Sequence, residues 1–527
     1  MKSKIVKSAF ILTGGVLLSK AIGVFYRIPL SNMLGAEGIG LYQLVFSVYA
    51  LIVTVIGSGL PIAVSRLTAE SNNVSDKKSV LYSSLILGLA SGGVISVCLL
   101  LLSVTIAKLQ GNPIAWSGYV AICPAVFFVA GLSVLKGYFQ GKVNMMPTSI
   151  SYILEQVIKL AVGLLLAYYL APYGVVYQVA GSLIGVTVSE IVSFFVLLII
   201  YLASREKAVK VNHDKTKEIG KRLLKIAFPV TIGSTLVPLS QFIDSFIVVN
   251  VIAKTAGNQH ATAMYGLFSG SVNPIVNMPI MLVLSLAMII VPVVSRERVN
   301  LNYYGILEKS KSAIKLCFIF GLPCSILLIA FAKPILSIIY PRFTVSEIDT
   351  ASSLLSICSL SIVFYGVMQV ETALMQGLDK IYIPVRNMLI ALVVKEVLCV
   401  ILVNQIGIIG LAYSTLIMSV IACLLNDYSY RKLLGVNFDL SSQLVKTILL
   451  SVIFFGVVIL SRRYISNNIL GFLVACLVGG SIYYILLKRN EVLSKSELKS
   501  IGLLRNEPIN LQKKFYRRKY DNGSWFR

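Results

Sequence analysis

Apolar residues in this sequence come in blocks of about twenty, and no other feature restricts the fold as much. A helix rises about 1.5 Å per residue, so such a block crosses a hydrocarbon layer of about 30 Å. Blocks recur near residues 8–27, 41–64, 80–106, 114–135, 149–170, 176–203, 223–251, 264–294, 312–331, 351–376, 384–404, 408–430, 443–461 and 468–487. Composition agrees. Of 527 residues, 57% are apolar and 13% charged, where a soluble domain carries roughly 25% charged residues. The expected fold class is an all-α integral membrane protein of about 14 transmembrane helices.

The first block follows Lys2, Lys4 and Lys7, as a secretory signal would, but it runs on through Lys20 and Arg27 without a small-residue cleavage site. It reads as a retained helix. The eight cysteines form no C-x-x-C pair and lie almost entirely within apolar blocks, so they suggest packing and neither a disulfide framework nor zinc. An even number of spans puts both termini on one side, and the Lys/Arg bias says which. Eight basic residues fall between Arg205 and Lys225, five between Arg296 and Lys315, and eleven, against four acidic ones, from Lys488 onward. The intervening loops carry single charges such as Lys108, Lys254, Lys333 and Arg342, plus the pair Arg462 and Arg463. Both termini are therefore expected in the cytoplasm, and the net charge of +25 is a topology signal that needs no nucleic acid to explain it.

Three matches at one offset of about 230–236 residues point to an internal repeat. Gln140-Gly141, Lys142 and Pro147 correspond to Gln376-Gly377, Lys380 and Pro384. Tyr173 to Gly185 (YGVVYQVAGSLIG) corresponds to Ile406 to Met418 (IGIIGLAYSTLIM), and Arg66 ends a segment like the one ending at Arg296. The expected organisation is a six-helix lobe at 1–203, a basic linker at 204–222, a second six-helix lobe at 223–432, two appended helices at 443–487 and a basic tail at 488–527. Parallel halves related by an axis along the membrane normal, with a site between them, are one transporter plan.

Four segments carry a family resemblance over nearly the whole chain: LGAEGIGLYQL (Leu34 to Leu44), GLPIAVSRLTAE (Gly59 to Glu70), LKGYFQGKVNMMPTSISYILEQ (Leu135 to Gln156) and ALMQGLDKIYIP (Ala373 to Pro384). They resemble the multidrug/oligosaccharidyl-lipid/polysaccharide exporter superfamily, in particular its stage V sporulation protein B and polysaccharide-biosynthesis flippase branch, related to lipid II flippases of the MurJ type. The resemblance implies a V-shaped two-lobe fold working by alternating access, with a polyprenyl-diphosphate-linked saccharide as cargo. It also implies the bacterial cytoplasmic membrane, surrounding lipids and association with wall or polysaccharide synthesis enzymes.

A charge inside the bilayer costs about 2.5–3.5 kcal/mol on insertion scales, so each one is a functional hypothesis. Lys20 and Arg27 are seven residues apart, two helical turns, and share one face. They form a candidate cationic strip for a diphosphate, against the plainer reading of side chains reaching for the interface. The related lipid II flippases have basic residues at matching places, with arginine where Lys20 stands. Arg66 and Arg296 are candidates at the entrance, although residues there more often anchor helix ends. Lys159 and its repeat counterpart Lys395 complete the substrate-binding set. Glu155 stands four residues before Lys159, where the two can neutralise each other. Glu155, Glu190, Asp244, Glu371 and Glu396 are candidates for taking up a coupling proton or sodium ion, Asp244 most of all because no cation is near it in sequence.

No cofactor is implied, and coupling to membrane potential, protons or sodium stays open. Gly137 to Lys142 is one residue short of a phosphate-binding loop and has Val143 where a hydroxyl should hold magnesium. No metal motif or catalytic triad is present, so the chain is not expected to be an enzyme. The expected function is a flippase for an undecaprenyl-diphosphate-linked saccharide, lipid II or a polysaccharide repeat unit. A cation-coupled multidrug exporter and a membrane glycosyltransferase or polymerase are the alternatives.

Overall fold

The computed structural model describes residues 2–71, 73–204, 216–435, 441–465, 467–490 and 492. Most of the expected basic linker and tail lies outside these residues. The described residues are helical, with no strand among them. Helix α1 (Lys2–Gly57) and α2 (Gly59–Glu70) hold the first two expected spans. The break between those spans falls at Gly35 (φ 67°), a left-handed conformation that glycine adopts at little cost. The chain doubles back there. Arg27 Cζ lies 5.8 Å from the Tyr42 ring and 5.9 Å from the Phe46 ring, pairs that one straight helix would hold about 22 and 28 Å apart. The gap between α1 and α2 is at Ser58, where Pro61 withholds the N–H that Gly57 would otherwise receive.

Helices α3 (Val74–Leu109), α4 (Trp116–Gly141), α5 (Met146–Tyr169) and α6 (Val175–Ala203) follow where they are expected. Helix α7 (Thr216–Ala256) runs unbroken through Pro229 and Pro238. The eighth expected span is assembled from α8 (Asn258–Gly266), a π-helical segment Leu267–Val272 and α9 (Asn273–Val299). Then come α10 (Tyr303–Ala330), short α11 (Ala332–Ile339), α12 (Val345–Gly377), α13 (Tyr382–Ile406), α14 (Ile408–Leu434) and α15 (Ser441–Tyr464). A last span combines α16 (Asn468–Val474), a second π-helical segment and α17 (Gly480–Arg489). Twelve stretches among the described residues are long and apolar enough to cross a membrane, the first being the doubled Ile11–Glu70.

Packing is denser within each half than between them. Helix α3 packs on α4, and α4, α5 and α6 pack on one another and on α1, while α9, α10, α12, α13 and α14 pack together with α7 against α13. Helix α15 rests on α10. Small residues decide the closest crossings, as in membranes generally, where helices gain nothing from leaving water and association rests on packing. Gly185 of the GSLIG segment lies against the Gly163 backbone, joining α6 to α5.

Gly266 and Gly270 of the GLFSG segment do something different: they join the halves. A methyl group added at Gly266 would stand 2.5 Å from the Ala36 carbonyl oxygen, and one at Gly270 would stand 2.5 Å from Ile39 Cγ1. Gly40 faces the Thr262 carbonyl more closely still. Around this crossing Asn112 Nδ2 donates to Thr262 Oγ1 (2.8 Å), Gln110 Nε2 to Ser245 Oγ (2.8 Å), Asn250 Nδ2 to the Leu109 carbonyl (2.7 Å) and Asn32 Nδ2 to the Ile339 carbonyl (2.7 Å). The end of the molecule bearing Gly35 is thus sealed by backbone contact and hydrogen bonds.

Valine at Gly266 should overpack this crossing and push α8 away from α1. In a cysteine-free background, a cysteine at position 262 should then react with a membrane-impermeant maleimide several-fold faster than in the Gly266 parent. An unchanged rate would show that the close approach does not hold this end shut.

Candidate functional site

Two interruptions in backbone bonding locate the first part of the site. In the π-helical segment the Asn273 N–H bonds the Phe268 carbonyl, five residues back, and so passes over Ser269. Pro274 has no N–H to give Gly270. The carbonyls of Ser269 and Gly270 are left without their helical donors in a place where lipid supplies none. Side chains from the other half answer them. Gln43 Nε2 donates to the Ser269 carbonyl at 2.6 Å, and Arg27 donates to Ser269 and Gly270 at 3.4 and 3.5 Å while its guanidinium faces Tyr42 and Phe46.

Arg27 therefore points from the first half toward the second. Helix α1 packs on α5 through Gly15, which contacts Ser149, and Gly23, which contacts Gln156. At about 100° per residue, Lys20 and Arg27 lie roughly a quarter turn from that face and within about 20° of each other. Lys20 is exposed on this strip. The structure thus keeps the two expected strip residues on one face, with Arg27 engaged across the seam.

Behind the strip lies a buried cluster. Lys136 Nζ is 2.6 Å from Glu155 Oε1, which also accepts from Ser151 Oγ at 2.7 Å, and Lys136 sits 4.2 Å above the Tyr152 ring. Tyr49 Oη donates to Glu190 Oε1 at 3.3 Å, and Lys159 Nζ lies 5.4 Å from the Tyr26 ring. Arg27, Glu155 and Glu190 are all within electrostatic reach of Lys159. The expected pair between Glu155 and Lys159 does not form, because Lys136 from the neighbouring helix takes the carboxylate. Sequence reasoning missed Lys136. Its signal was available: it is the only charged residue in α4.

The second half holds a separate cluster. Lys395 donates to Asp244, to Ser240 Oγ at 2.7 Å and to Glu396 Oε1 at 3.1 Å, and Ser240 Oγ donates on to Glu396 Oε1 at 2.7 Å. Two expectations change here. Asp244 is not without a cation, since Lys395 reaches it from 151 residues away in sequence. Lys395, at 2% exposure and held by two carboxylates, is also not gathered with Lys20 and Arg27. Lys159 lies by the Tyr26 ring on α1, whereas Lys395 is ion-paired with Asp244 on α7, so the two lysines have different kinds of partner.

The remaining candidates stand apart. Glu371 is buried in α12 with Oε2 unpartnered, within electrostatic reach of Asp427 and Arg431, which pair with each other. Arg66 pairs with Glu70 at 2.9 Å at the end of α2, and Glu70 also holds Arg222 at 2.7 Å. This fits an anchoring role. Arg296 is exposed near the end of α9.

Comparison with known proteins gives this arrangement a context. The model of the family described as "Polysaccharide biosynthesis protein" matches residues 5–297, and the MatE model matches residues 229–401. Stage V sporulation protein B of Bacillus subtilis (strain 168) is 25% identical over 95% of this chain and 98% of its own length. The lipid II flippase MurJ of the same organism is 23% identical over 92% of this chain and 95% of its own length. Among solved structures, a lipid II flippase MurJ in an inward closed conformation superposes with TM-score 0.72 at 18% identity, covering 92% of this chain and 100% of that one. An inward-facing multidrug resistance transporter of the MATE family gives TM-score 0.70 at 18% identity, covering 79% and 94%. These two likenesses establish the shared all-helical fold.

The Lys136–Glu155 pair carries its own expectation. Lys136→Ala leaves a buried carboxylate without its cation and should cost roughly 3–5 kcal/mol, whereas replacing both residues by methionine should restore most of the loss. Thermal unfolding in detergent would measure both. Additive losses in the double variant would refute the pairing as the source of the effect.

Proposed function

We propose that this chain, which belongs to the polysaccharide biosynthesis protein family of the multidrug/oligosaccharidyl-lipid/polysaccharide exporter superfamily, flips a polyprenyl-diphosphate-linked saccharide across a bacterial cytoplasmic membrane by alternating access. The observation that carries this reading is the charge balance of the first half. Lys136 and Lys159 are offset by Glu155 and Glu190, while Arg27 has no carboxylate partner among the described residues and Lys20 stands exposed on the same strip. A diphosphate leaving water loses its hydration, and cations with N–H donors must replace it or the transfer is blocked. The second cluster, with two carboxylates around one lysine, would repel such a group. The cargo's head group accordingly belongs beside α1.

In the proposed topology the chain crosses the membrane fourteen times with both termini in the cytoplasm, and the sealed end at Gly35 faces outward. The Lys20 end of the strip then lies toward the cytoplasm, where a lipid-linked saccharide is made. The lobes are 1–203 and 223–432, with 443–487 appended. Reporter fusions after Lys210 and at the C-terminus should both register the cytoplasm, and an outside signal from either would overturn the topology.

The MatE match over residues 229–401 favours a second reading, a cation-coupled exporter of amphipathic compounds. The two readings separate at Lys20. Under the flippase reading Lys20→Glu abolishes transport, Lys20→Ala reduces it strongly and Lys20→Arg retains it, because charge is kept and a guanidinium suits phosphate. At Arg27, with smaller effects, Arg27→Glu should be worse than Arg27→Ala, and Arg27→Lys should retain most transport. Complementation of a flippase-deficient strain, with immunoblots for abundance, measures this. Full activity of Lys20→Glu at normal abundance would exclude the cationic strip and favour the exporter.

A further inference from the structure

Carboxylates buried together in a transporter suggest a site for a coupling metal ion, and the second half contains such a group. Ligand atoms of Asp244, Glu396 and Cys399 lie within 4.8 Å of one another. Oxygen donors of this kind suit a hard cation such as sodium. The residues around them do not fit a free metal ion. The Lys395 ammonium lies among the same oxygens, and its three N–H groups have three acceptors: Asp244, Ser240 Oγ and Glu396 Oε1. With 2% of its side chain exposed, Lys395 has no water to turn to if an ion displaces it. A metal ion entering here would meet a fixed positive charge and would find Asp244 already bonded.

We propose that Lys395 is a tethered cation. It occupies the place that a coupling metal ion would take and serves as the permanent counter-charge joining α13 to α7, so that transport requires no sodium at this cluster. Ser240 completes the arrangement by accepting from the ammonium and donating to Glu396, and so links the two carboxylates through one charge. Glu396 Oε2 keeps an unpartnered lone-pair site in the buried cluster. That leaves room for a replacement cation only if the ammonium is removed.

The test uses the purified full-length protein and needs no cargo, so it can fail independently of the flippase reading. Thermal unfolding is followed while sodium chloride replaces choline chloride at constant ionic strength. The unaltered protein should show no sodium-specific stabilisation. Lys395→Ala should unfold at a lower temperature in choline and gain a saturable sodium-dependent rise, because an ion that binds only the folded state stabilises it. Lys395→Arg should keep the unaltered protein's indifference to sodium. A saturable sodium-dependent rise in the unaltered protein that Asp244→Asn abolishes would overturn the proposal. So would a Lys395→Ala protein as stable as the parent and equally unresponsive. If Lys395→Ala cannot be purified, the sodium titrations of the unaltered, Lys395→Arg and Asp244→Asn proteins still decide the matter.

Discussion

Hydrocarbon offers no hydrogen bonds, and the structure is organised around that lack. A helix satisfies its own backbone, so spans can stand in lipid without help. Every interruption then has to be answered by the protein. The π-helical turn at Leu267–Val272 and the missing N–H of Pro274 together expose two carbonyls. Gln43 and Arg27 come from the opposite half to meet them. The seam between the halves thus lies where backbone bonding fails in one half and donors are available in the other. Glycines at 40, 266 and 270 let the two backbones come close enough for those donors to reach.

The same scarcity governs charge. An ion without a partner in lipid is expensive, so buried ions are gathered with counter-charges. In the cluster of the second half one lysine and two carboxylates close on each other through Ser240, and the cluster has no positive charge to spare. In the first half Lys136 and Lys159 are set against Glu155 and Glu190, Arg27 reaches across the seam and Lys20 stays exposed. The two clusters thus differ electrically, the proposed reading placing an anionic cargo on the side of Arg27 and Lys20.

Periodic features were legible in the sequence because they are local. Spans appeared as apolar runs, and the repeat as matches at one offset. The single face of Lys20 and Arg27 followed from helical geometry alone. Pairings between helices were not legible. Glu155 appeared to belong to Lys159 because the two are four apart on one helix, yet α4 brings Lys136 to the carboxylate. Asp244 appeared to be alone because its lysine is 151 residues away. The close crossing at Gly266 and Gly270 was not legible either, because nothing local fixes which helix they meet.

The sequence alone therefore determined that the chain is a helical membrane protein, where its helices run, which family it resembles and which charges must be explained inside the bilayer. These depend on hydropathy and on residues within a few turns of each other. Only the tertiary structure decided which charges neutralise one another, which carbonyls are left for the other half and which cations stay free. Those outcomes depend on distances of a few ångströms between helices far apart in the chain, and electrostatic and hydrogen-bond energies change steeply over that range.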